Sequence, residues 1–283
     1  MRDYRPIEKT RYAKSFAPDI RGIEKPVTNN RERNLTGVHI ATMCGKMKSV
    51  WEYRPDGSRV RVTMRSISTS VLNNSRCIDR INHAIATNDD KCICLYCFSV
   101  AAVSDDSKRG RGMRKNCENN HRILTSRFLS WSKLPAIKTD YFRFESHADV
   151  QNVIQCINYL MFIEKSNESA DTHGRKHTNF GVWTKNPDIW AECFNQLGVR
   201  KPDNLHFHLS SVRTDQRDRV LPEYWFVDDV FTVWTDAETA TNANVELTCC
   251  RPGYHPHCVT CKRCYRGGND TMTITYTDEL LRV

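Results

Sequence analysis

The chain has 283 residues, 39% of them hydrophobic and 27% charged, so it can build a core that does not depend on disulfides. Its N-terminus lacks the apolar run of a secretory signal, and its longest apolar stretch, "VIQCINYLMFI", is too short to span a bilayer; these features argue against secreted and membrane-spanning classes. The expectation is a cytoplasmic protein with no membrane partner, formal net charge +9 and thirteen reduced cysteines that read as metal ligands before disulfides.

Residues 1–35 carry three prolines, mixed charge and no periodicity, which predicts a weakly ordered segment ahead of a single α/β metal-binding domain over 36–283. "KSVWEYRPDGSRVRVTM" alternates on both sides of a turn signal and predicts a β-hairpin. A cysteine-rich loop is expected next, through Cys97. The basic "SKRGRGMRK", residues 107–115, reads as a solvated loop or as a contact for phosphate backbones. "CENNHRILTSRFLSWSKL" has Ile123, Leu124, Phe128 and Leu129 at helical spacing, with Trp131 close by.

The middle reads as strand, helix, strand, helix, strand. "DYFRFESHAD" is the first strand. The helix "VQNVIQCINYLMFIEKS" follows, with Val153, Ile154, Ile157, Leu160 and Met161 along one face. "NFGVWTKN" leads to a helix started by Pro187 and ended by Gly198, and "DNLHFHLSSVR" is the third strand. This order implies a parallel sheet with right-handed crossovers. The fold class is therefore α/β, as a partial (β/α) barrel or parallel sheet, with a cysteine-rich metal-binding C-terminal region. "WFVDDVFTVWTD" and "MTITYTD" add further β segments around that region.

Parallel strands deliver their ligands at their carboxyl ends. The first middle strand ends in Arg143, Glu145, Ser146, His147 and Asp149, the second in Thr184, Lys185 and Asn186, and the third in Ser210, Ser211 and Arg213. Glu145, His147, Asp149 and Lys185 are the catalytic candidates, and Ser146, Ser210 and Arg213 the cofactor-binding ones. Plainer roles stand beside these: Asp149 can cap a helix, Lys185 can be surface charge, and His206 and His208 can be core or lumen residues.

Cys258, Cys261 and Cys264 form C-x2-C-x2-C, a spacing that can wrap an iron–sulfur cluster, with Cys249 or Cys250 as a fourth ligand. Zinc is the rival, because His255 and His257 lie nearby. Upstream stand Cys77, Cys92, Cys94, Cys97 and Cys117, and Cys94–Cys97–Phe98 echoes Cys261–Cys264–Tyr265. The candidate metal ligands are Cys77, Cys94, Cys97, Cys250, Cys258, Cys261 and Cys264, in one shared site or two. Cys156 and Cys193 read as buried core residues.

The order of these features resembles the cysteine-rich phage family named for "gene product 88". The match runs over roughly residues 66–266: Cys77, Cys94, Cys97 and Phe98, then "FRFESHAD" with Ser146 and Asp149, then "VWTKN", "NLHFHLSS" and "CVTCKRCY". His147-Ala148 stand where that family has a glycine. The layout is also similar to radical S-adenosylmethionine enzymes, although Asp90 stands four before Cys94, where their C-x3-C-x2-C has a cysteine. The resemblance implies a phage protein in a host cytoplasm, a 4Fe–4S cluster, S-adenosylmethionine and an unknown small-molecule substrate. The contrasting readings are a zinc-stabilised nucleic-acid-binding protein, with Trp225 and Tyr254 as stacking rings, and a metal-stapled protein that contacts a host macromolecule.

Overall fold

The computed structural model describes residues 36–42, 50–198, 200–245, 258–265 and 272–275. The 1–35 segment, Cys44, Cys249, Cys250, Tyr254, His255 and His257 lie outside the described residues. The strands are β1 (Ala41–Thr42), β2 (Val50–Tyr53), β3 (Arg59–Val62), β4 (Met64–Ile67), β5 (Tyr141–Phe144), β6 (Asn179–Thr184), β7 (Leu205–Ser210), β8 (Asp229–Trp234) and β9 (Met272–Thr275). The helices are α1 (Ser75–Ala86), α2 (Phe98–Ser104), α3 (Lys108–Ser126), α4 (Val153–Thr172), α5 (Pro187–Leu197), α6 (Ala237–Asn242) and α7 (Cys258–Cys261).

One seven-stranded sheet has the order β1-β4-β5-β6-β7-β8-β9, and β2 pairs with β3 in a separate ribbon. β1 is antiparallel to β4; every other neighbouring pair in the large sheet is parallel. The expected β-α-β-α-β unit and the hairpin are both present. Among the described residues, no helix is long and apolar enough to cross a membrane.

Register separates two faces. Phe142, Phe144, Phe180, Val182, Leu205 and Phe207 point to one side, where they join residues of α3, α4 and α5 in a single core. Arg143 lies opposite Gly181, Gly181 opposite His206, and Trp183 opposite His208, so these residues share the other face. α3, α4 and α5 thus cover one face, and a short C-terminal segment lies on the other.

Four expectations need correction. The cysteine-rich loop contains a helix: Asn74 caps α1, its side chain accepting the Cys77 N–H at 3.2 Å. The basic stretch 107–115 is no loop; Ser107 accepts the Gly110 N–H at 3.1 Å and starts α3. That helix stops at Ser126, before Phe128. Asn158 of α4 explains the stop: its amide donates to the carbonyls of Leu124 and Arg127 at 2.8 and 2.9 Å, and its oxygen accepts the Leu129 N–H. α4 also buries more than the predicted stripe. Gln155, Cys156, Asn158, Tyr159, Phe162 and Ile163 are buried, whereas Val153, Ile157 and Met161 are only partly so, because α3 and α5 pack against α4 as well as the sheet.

Candidate metal centre and strand-end site

After β4 the chain leaves the carboxyl edge of the sheet and enters α1. Asn74 donates to the Asp149 carbonyl at 2.6 Å, which fixes the start of α1 against the loop that follows β5. One turn into α1, Arg80 donates to the Lys185 carbonyl at 3.1 Å and to Asn186 Oδ1 at 2.9 Å, beyond the end of β6. The chain then returns through Asn88, in the left-handed region at φ 51°. Cys92 bridges Arg213, and the Ile93 N–H donates to the Val212 carbonyl at 2.9 Å, so the loop after β7 holds this segment. Three strand ends therefore position Cys77, Cys94 and Cys97.

The three thiols lie close enough for their charges to interact, with Asp149, Arg80 and Lys185 also in range. Burial raises the pKa of Cys77 and Cys97 above the usual thiol range. A hydrogen bond with Cys92 brings the Cys94 thiol down to about 6, with Lys185 and Arg80 assisting against burial. Arg80 was not singled out by sequence reasoning. The available signal was its position three residues after Cys77, which puts both on one helix face.

Asp149 is buried at the same edge. Its carboxylate accepts the Thr184 hydroxyl at 2.8 Å and the Lys185 backbone N–H at 2.6 Å. The Lys185 ammonium donates to Ser210 Oγ at 2.9 Å. Burial raises the Asp149 pKa and the Lys185 contacts oppose the rise. Asp149, Lys185 and Ser210 thus link the carboxyl ends of three parallel strands beside the thiols. Asp149 does not cap α4: Asn152 does, accepting the Gln155 N–H.

The other candidates sit apart from that junction. Glu145 turns its carboxylate to Thr69, Gln155 and Tyr159, inside the protein and against α4. Ser146 meets Ser68 at 2.5 Å and Ser66 at 3.4 Å. His147 lies beside α2, 3.4 Å from Ser99 Oγ and 5.9 Å from the Phe98 ring; burial, and then Arg143, hold its pKa down at about 4. Arg213 pairs with Asp89 at 3.1 Å.

The second thiol group occupies the opposite sheet face. α7 and the turn Arg263–Tyr265 carry Cys258, Cys261 and Cys264. Tyr265 seats over Gly181, where a side chain would collide with its ring, and its hydroxyl reaches Met64 Sδ at 3.5 Å. His208 donates from Nε2 to the Cys264 carbonyl at 2.9 Å and stacks on Trp183, with ring centroids 4.6 Å apart. The Arg143 guanidinium lies 4.1 Å from the Trp183 ring, and its Nε is buried with no hydrogen-bond partner among the described residues. Burial raises the Cys264 pKa, as do Cys258 and Cys261, against Arg143. Cys156 and Cys193 are fully buried in the helical core, as expected.

Among the described residues, no three His, Cys, Asp or Glu side chains stand in an arrangement that holds a single metal ion. A Zn–S bond of about 2.3 Å would put tetrahedral thiolates roughly 3.8 Å apart. A cluster that gives each thiolate its own iron takes wider spacing. No protein-family model, curated protein or solved structure matches the chain.

Proposed function

We propose that the protein binds an iron–sulfur cluster, of 4Fe–4S type, through Cys77, Cys94 and Cys97, and uses it at the carboxyl rim of a partial barrel. One observation carries this reading: three separate strand ends bring these thiols together with Asp149 and Lys185. Arg80 and Lys185 supply positive charge that offsets the thiolates. When bound, such a cluster supplies single electrons and, at an iron without a thiolate, a place for a small molecule. S-adenosylmethionine is the molecule that the resemblance suggests, and the phage-family assignment belongs to the same proposal. Lys185 would orient an anionic group of the substrate, and Asp149 would hold Lys185 and its strand in place. Glu145 takes a positioning role, since its carboxylate is occupied within the protein. Cys258, Cys261 and Cys264 form a separate metal centre, with Cys250 as the fourth ligand. Zinc is the alternative metal in each.

Anaerobic purification followed by iron, sulfide and zinc analysis tests this. A brown protein with iron and sulfide in matched amounts is expected, and Cys94→Ser should remove the share held at the rim. Zinc alone in a colourless protein would overturn the cluster, because zinc has no visible absorption.

A further inference from the structure

The β2–β3 ribbon is unlike the rest of the surface. Register sets Trp51 opposite Arg61 and Tyr53 opposite Arg59, so all four side chains share one face. Alternation puts Glu52 and Val62 on the other face, where Glu52 pairs with Lys262 and Val62 is buried with Tyr141 and Tyr265. The inward face thus docks on the protein, while the outward face points away from it. Trp51 is 58% exposed and Tyr53 73%, values at which neither ring contributes much to the fold. The outward strand positions carry two aromatic rings, two arginines and no carboxylate, on a chain of net charge +9.

Arg59 makes the arrangement specific. Its guanidinium lies 5.1 Å from the Trp51 ring and 5.5 Å from the Tyr53 ring. Residues two apart on a strand are separated by about 6.8 Å, twice the roughly 3.4 Å between stacked bases. The Arg59 cation lies within reach of both ring faces, which a planar base can occupy in its place. We propose that this ribbon face binds single-stranded nucleic acid, with bases stacking on Trp51 and Tyr53 and phosphates drawn to Arg59 and Arg61. Stacking needs an exposed base face, which a duplex hides, so the ligand is single-stranded. A neutral partner would use the rings alone; pairing each ring with an arginine matches a ligand that alternates planar bases with negative phosphates. The proposal is independent of the rim thiols.

The test is fluorescence anisotropy of a labelled oligothymidylate of roughly twenty nucleotides, longer than one binding module covers, titrated with the full chain. Trp51→Ala/Tyr53→Ala should weaken binding by about ten-fold or more. Arg59→Gln should flatten the plot of log affinity against log salt by about 0.7. Trp51→Phe, which keeps a ring and the fold, should retain binding but lose part of the fluorescence quench on adding oligonucleotide. Trp225→Phe should keep the quench. Three outcomes would overturn the proposal: no binding by the wild-type chain, tighter binding to duplex than to single strand, or equal binding by wild type and Trp51→Ala/Tyr53→Ala. Heparin competing as well with the double variant as with wild type would mark a surface that attracts charge alone, and would also overturn it.

Discussion

Glu145 keeps a carboxylate out of water at a left-handed backbone position, φ 53°, one residue past the end of β5. Burial pushes its pKa up to about 7, although hydrogen bonds from Thr69 and Tyr159 favour the charged form. Between the ordinary carboxyl value and about 7, the folded protein holds a proton that the unfolded chain has released. Stability contributed here is therefore complete at low pH, falls as pH rises through that window, and levels off above it. Glu145→Gln copies the neutral acid and removes the fall. The stability difference, variant minus wild type, should grow by up to about 3 kcal/mol between about pH 5 and about pH 7.5. Urea midpoints at the two pH values measure it, and a constant difference would show that Glu145 is ionised throughout. His147, whose depressed pKa acts in the opposite sense, is common to both proteins and cancels. Strand-end position made Glu145 visible in the sequence. Its partners were not visible, because Gln155 and Tyr159 are polar residues on a side of α4 that the apolar stripe did not mark as buried.

At the scale of elements, strong local signals were legible. Pro187 and Gly198 bound α5, and Gly198 takes the left-handed C-cap conformation at φ 59°. The turn "RPDG" joins β2 to β3, and the Gly57 N–H donates to the Arg54 carbonyl. What failed locally was decided by distant partners: Asn158 ends α3 from another helix, and Asn74 starts α1 inside an expected loop. Docking of the C-terminal segment on β6 is a further long-range event, and Gly181 controls it. A Cβ there would lie 2.8 Å from Tyr265 Cε1 and 3.0 Å from Trp183 Cζ3. Tyr265 is buried and held by Met64, and Trp183 is stacked between Arg143 and His208, so neither ring has room to withdraw. Gly181→Ala should cost about 1–3 kcal/mol by overpacking. Thermal unfolding reads the loss, and with the proposed C-terminal centre metal analysis should find it accompanied by reduced metal at Cys258, Cys261 and Cys264 alone. Unchanged stability would mean that the segment does not dock over Gly181 in solution.

Across the whole molecule, the sequence left open whether seven candidate ligands serve one centre or two. Spacing alone could not decide, because the answer depends on which side of a sheet each segment crosses. Cys77, Cys94 and Cys97 pack with Leu95 and Val100 at the carboxyl edge, among the connections from the strand ends. Cys258 and Cys264 pack with Val62, Met64 and Tyr265 on the face opposite the helical core. Two groups in different clusters, each tied down by its own backbone contacts, should bind and lose metal independently, as distant sites add without coupling. Replacing Cys258, Cys261 and Cys264 with serine should therefore lower stability and remove one share of metal, because metal binding is linked to the folding of the segment that supplies the ligands. The visible absorption proposed for the rim should remain. Replacing Cys77, Cys94 and Cys97 with serine should do the reverse, abolishing that absorption and sparing the C-terminal metal. Elemental analysis and absorption spectra of both triple variants make the comparison. If either triple replacement empties both groups while circular dichroism still reports a folded α/β protein, the thiols share one centre and the two-site arrangement fails. Arg143 would then be the residue to examine first. Its charge acts on Cys264 on one side and on His147, in the loop after β5, on the other, so it is placed to link the two regions.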